Sequence, residues 1–75
     1  MIAYVLISLH DGDERKLMDD LEDLPEVREV HILFGEWDLI VKLTVENAED
    51  LAKFVMERIR TRKEIRVTST MIAAK

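Results

Sequence analysis

The chain has 75 residues, of which 36% are charged and 48% hydrophobic, with 16 Asp and Glu against 11 Lys and Arg, a net charge of −5 and no cysteine. This balance belongs to a folded domain rather than a disordered tail, and the length allows one domain over residues 1–75. Disulfides and thiolate metal sites are excluded, the acidic balance argues against nucleic-acid binding by overall charge, and no apolar run approaches the roughly 18 residues of a membrane span, so a cytoplasmic location is expected.

Ile2 to His10 is rich in β-branched and aromatic residues and runs into the turn signal Asp11-Gly12-Asp13, which predicts a first strand. From Asp13 to Leu24, Leu17, Met18, Leu21 and Leu24 recur at the spacing of one helix face. Asp11 with Glu14, or Asp13 itself, can cap this helix, and Pro25 stops it. The acidic cluster Asp19, Asp20, Glu22, Asp23 and Glu26 opposes the helix dipole, partly offset by Arg15 with Asp19 and Lys16 with Asp20 at i,i+4 spacing.

Val27 to Phe34 predicts a second strand, with Val30, Ile32 and Phe34 on one face and Glu29, His31 and Leu33 on the other. After Gly35-Glu36-Trp37-Asp38, the residues Leu39, Val41, Leu43 and Val45 alternate with Ile40, Lys42 and Thr44, so a third strand completes an antiparallel hairpin. Asn47 is a good N-cap for a second helix with the stripe Ala48, Leu51, Ala52, Val55 and Ile59 and a basic C-terminal end at Arg58, Arg60, Arg62 and Lys63. Ile65 to Ala73 is the last strand.

The order β-α-β-β-α-β with right-handed crossovers predicts an α+β, ferredoxin-like fold: a four-stranded antiparallel sheet in the order 4-1-3-2 with both helices on one face. The uncovered face is expected to carry Tyr4, Leu6 and Ser8, then Ile40, Lys42 and Thr44, then Arg66, Thr68, Thr70 and Ile72. A half-apolar face of this kind suits a homodimer, a dimeric α/β sandwich, and a chain this short buries only about 60% of its unfolded surface and needs such support. The absence of Gln, a single Asn47 and the high charge lean towards a thermophilic source.

Catalytic patterns are absent. Ser8 and Ser69 stand in no nucleophile-elbow context, Gly12 and Gly35 form no phosphate loop, and His10 and His31 fit no metal motif, so no enzyme activity, cofactor or metal is expected. Two features remain. In the turn, Gly35 can adopt positive φ, Asp38 can bond back to turn N–H groups, and Trp37 lies between them; an ordinary hairpin whose Trp covers the core reads equally well. Thr68 and Thr70 project from one sheet face and offer hydroxyls where a partner sheet should lie, although Thr is also simply a good strand residue.

Phe34-Gly35-Glu36-Trp37-Asp38-Leu39-Ile40-Val41 resembles the Gly-x-aromatic-Asp hairpin of the effector-binding (RAM) domain of Lrp/AsnC-type transcriptional regulators. Val67-Thr68-Ser69-Thr70-Met71-Ile72 looks like that domain's final strand, and Leu24-Pro25-Glu26-Val27 like the approach to its second. The resemblance implies dimers formed by sheet packing, rings of dimers, and an amino acid bound at subunit interfaces by Gly35, Trp37, Asp38, Thr68 and Thr70. Trp37, where the family usually has tyrosine, keeps an aromatic wall without the hydroxyl. The chain begins directly at its first strand, without the family's helix-turn-helix, so the resemblance implies a stand-alone domain that does not itself bind DNA and modulates a full-length regulator by co-assembly. A ferredoxin-like structural oligomeriser or small enzyme subunit is the competing reading.

Overall fold

The computed structural model describes residues 1–75. Period-two alternation sets β1 (Ile2–Leu9), which buries Ala3, Val5 and Ile7 on one face and leaves Tyr4 and Leu6 half-buried on the other. Asp13 caps α1 (Glu14–Glu22): its carboxylate accepts from the N–H of Arg15 at 3.0 Å and of Lys16 at 3.4 Å, satisfying donors that have no partner within the helix. The helix is shorter than its apolar spacing suggests, and Leu24 packs on the core from the following turn. Lys16 pairs with Asp20 at 3.5 Å, whereas Asp20 also takes Arg62, 3.5 Å away, from the end of the second helix.

β2 (Val27–Ile32) is two residues shorter than its alternation predicts, and Phe34 stands fully exposed beyond it instead of joining the core. β3 (Leu39–Thr44) buries Leu39, Val41 and Leu43. Asn47 caps α2 (Ala48–Phe54) through Asp50 N–H at 2.8 Å, and the helix continues as a π-helical turn over Val55–Ile59. The buried stripe is Leu51, Phe54, Val55 and Ile59, while Ala48 and Ala52 face outwards. β4 (Ile65–Ile72) closes the chain.

The strands lie in the order β2-β3-β1-β4, all neighbours antiparallel, which is the predicted ferredoxin-like order read from the other edge. Leu17 and Leu21 of α1 and the apolar stripe of α2 join Ala3, Val5, Ile7, Val30, Leu39, Val41 and Leu43 in one core of 14 buried residues, so both helices cover the same face of the sheet.

The register corrects the expected open face. Residues opposite one another in a ladder share a face. Thr68, Thr70 and Ile72 lie opposite Ile7, Val5 and Ala3, all core residues, and therefore sit on the helix side; Val67, Ser69 and Met71 lie opposite Ser8, Leu6 and Tyr4 on the open side. The cause is a bulge: Ser8 pairs with Val67 but Leu9 pairs with Ile65, so Arg66 is an extra residue and the parity of β4 inverts after it. Arg66 itself still turns to the open face, where its Nη2 donates to Ser8 Oγ at 2.9 Å.

Candidate functional site

The β2–β3 hairpin is built around Gly35, whose φ of +131° is a conformation that side-chain-bearing residues rarely adopt. Trp37 and Asp38 follow, both half-buried. Asp38 closes the hairpin with one hydrogen bond and ties it to β1 with two. Its carbonyl accepts from Leu33 N–H at 2.8 Å, its N–H donates to Ile7 C=O at 2.9 Å, and its Oδ2 accepts from Leu9 N–H at 2.7 Å.

The side chain thus reaches across to β1 instead of bonding within its own turn. The β1–β3 pairing ends at Ile7 and Leu39, which leaves Leu9 N–H beyond the ladder, and the carboxylate supplies the missing acceptor. One oxygen is therefore held in a charge-assisted bond, and Oδ1 makes no hydrogen bond within the chain.

Thr68 comes close to this end of the sheet, because Ile7 is at once its partner in β4 and the acceptor of Asp38 N–H. Thr68 is half-buried. Thr70 lies further along the edge strand, opposite Val5, and is exposed on the incompletely covered helix side. The fold thus brings Trp37, Asp38 and Thr68 towards one end, with Gly35 at the hairpin tip and Thr70 set apart.

Of these residues, only Thr68 lines one of the three main surface clefts of the single chain. A cleft of about 330 Å³ is lined by Arg60, Ile65, Arg66, Val67 and Thr68. A larger groove of about 530 Å³ runs between α2 and the α1–β2 turn, past Glu26, Asp50, Lys53 and Phe54. On the open face a dip of about 120 Å³ gathers Tyr4, Glu29, His31, Ile40 and Lys42. There the hydrogen bond from His31 at 3.1 Å, and then the Lys42 ammonium 3.5 Å away, hold the Glu29 carboxyl below its ordinary value of 4.5. The role of Arg66 escaped the sequence pattern: a bulge created by pairing with a strand 58 residues away leaves no local signal.

The family model described as the Lrp/AsnC ligand binding domain matches residues 2–75. An uncharacterised HTH-type transcriptional regulator of Pyrococcus furiosus is 37% identical over 75 residues, covering 95% of this chain and 49% of its own. The chain spans about half the length of the curated relatives it matches. The crystal structure of FFRP-DM1 superposes with a TM-score of 0.90 at 44% identity, over 96% of each chain. The transcriptional regulator NMB0573 of Neisseria meningitidis, solved as an L-Met complex, shares the fold at 18% identity, with a TM-score of 0.87 over 99% of this chain and 49% of its own. With its βαββαβ order, its Gly35–Asp38 hairpin and a family match along nearly its whole length, the chain belongs to the Lrp/AsnC ligand-binding domain family of transcription regulators.

Proposed function

We propose that residues 1–75 form one effector-binding and oligomerising domain that takes an amino acid at a subunit interface and modulates transcription in the cytoplasm through a full-length, DNA-binding regulator with which it co-assembles. The observation that carries this reading is the Asp38 carboxylate, anchored to Leu9 N–H by one oxygen and with no intramolecular partner on the other, beside Trp37 at the foot of a glycine turn. An immobilised carboxylate suits the ammonium of an amino acid, the Trp37 ring supplies an apolar wall, and N–H and hydroxyl donors at Gly35, Thr68 and Thr70 suit its carboxylate. Of these five residues only Thr68 lines one of the three clefts above, which supports a site completed by a second subunit. The L-Met complex of the Neisseria regulator of the same fold supports the ligand class.

The open sheet face supports a homodimer, with further assembly into rings of dimers. It presents Ile2, Tyr4, Leu6, Ile40, Val67 and Met71 together, with Val67 and Met71 each 44% exposed. The net charge of −5 argues against sequence-independent DNA binding by residues 1–75 themselves and supports contact with DNA through the partner regulator. A thermal-shift screen of the twenty amino acids tests the reading. A ligand at about 100 times its dissociation constant should add about 2.7 kcal/mol to stability and raise the melting temperature visibly. A flat response to all twenty contradicts it and favours a purely structural oligomeriser.

A further inference from the structure

The two edge strands of the sheet are not alike. β2 has six residues and carries the ionisable side chains of Arg28, Glu29 and His31, the kind of residue that keeps an open edge from pairing with another strand. β4 has eight, and after the bulge at Arg66 it runs Val67-Thr68-Ser69-Thr70-Met71-Ile72 without a charge or a proline. Its outer side is also unpaired. Ala73 N–H donates to Ile2 C=O at 2.9 Å, towards β1, so alternation along the strand turns the N–H and C=O groups of Thr68, Thr70 and Ile72 outwards. None of these groups bonds to another element, and no helix or loop pairs with this edge.

We propose that β4 pairs edge to edge with β4 of a second copy of this chain, antiparallel and centred on Ser69, so that two sheets become one of eight strands. A two-fold axis at Ser69 sets Val67 opposite the partner's Met71 on the open side and Thr68 opposite the partner's Thr70 on the helix side. Both pairs are favourable cross-strand combinations, apolar with apolar and Thr with Thr. Thr68 and Thr70 are also residues whose backbone groups point outwards, so the two Thr68–Thr70 pairs exchange the hydrogen bonds that the edge leaves unmade. Complementarity of the segment to itself, with no charge to repel its copy, identifies the occupant as a second copy rather than a foreign strand. The contact uses the edge of the sheet and not its face. It therefore goes beyond the open-face homodimer, can join two such dimers, and stands without them.

The test is disulfide cross-linking, which has no background here because the chain has no cysteine. Ser69 and the partner's Ser69 form a pair without mutual backbone hydrogen bonds, whose Cα atoms lie about 4.5 Å apart, within reach of a disulfide. Under mild oxidation Ser69→Cys is expected to form a covalent dimer at least about tenfold faster than Met56→Cys, a collisional control at an exposed position of the π-helical turn. Thr70→Pro removes an outward N–H that β1 does not use, and added to Ser69→Cys it is expected to slow cross-linking to the control rate. Ile40→Glu charges the open face two strands away and is expected to leave the rate within about twofold. Cross-linking of Ser69→Cys no faster than the control overturns the edge contact, and this comparison decides even if Thr70→Pro fails to fold. A rate indifferent to Thr70→Pro but abolished by Ile40→Glu also overturns it and leaves the open-face homodimer standing. Fast cross-linking that Thr70→Pro abolishes supports the edge contact whether or not the open face dimerises.

Discussion

Asp38, proposed as the ammonium partner of the site, also serves the fold. The turn motif marks it as special, but a local reading assigns its carboxylate to turn N–H groups, and the actual partner is Leu9 N–H, 29 residues away. No spacing rule reports a donor stranded at the end of a ladder that forms only in the folded sheet. Because the bond is structural, removing the acceptor destabilises the hairpin, and Asp38→Asn, which keeps an oxygen there and removes the charge, is the informative variant. Gly35, by contrast, was legible as a positive-φ residue, and its φ of +131° agrees. A Cβ there would meet nothing within 4 Å, so the penalty for Gly35→Ala is backbone strain alone. We expect a loss of about 1–3 kcal/mol in urea unfolding; an unchanged midpoint would show that the turn relaxes freely.

At the scale of elements, alternation and capping signals located every strand and helix, because each element is amphipathic at its own period and is bounded by Asp13, Pro25, Gly35 or Asn47. The faces of β4 were not legible. One extra residue, Arg66, inverts the parity, moving Thr68 and Thr70 to the helix side and bringing Val67 and Met71 to the open face. The open face nevertheless keeps its apolar centre at Leu6, flanked by Ile40 on β3 and Ser69 on β4. If that face is the dimer interface, Leu6→Glu buries a charge in it and converts dimer to monomer in sedimentation velocity, whereas Met56→Glu, on the exposed side of the π-helical turn, leaves the dimer intact. Dimers that survive Leu6→Glu would place the interface elsewhere.

For the whole molecule, a core of 14 buried residues in a 75-residue chain is small, and the open face and the hairpin are where the proposed second subunit would contribute most. In the proposed assembly the subunit contact that adds buried surface would also complete the ligand site, which would couple ligand binding to assembly through one surface. The central claim is that this surface binds an amino acid through Asp38, and calorimetric titration of the intact oligomer, with Asp38→Asn as the paired variant, measures it most directly. The account predicts saturable binding of an amino acid by the wild-type protein and a loss of about tenfold or more in Asp38→Asn at unchanged oligomeric state. Amino-acid binding of equal strength in both proteins would contradict it.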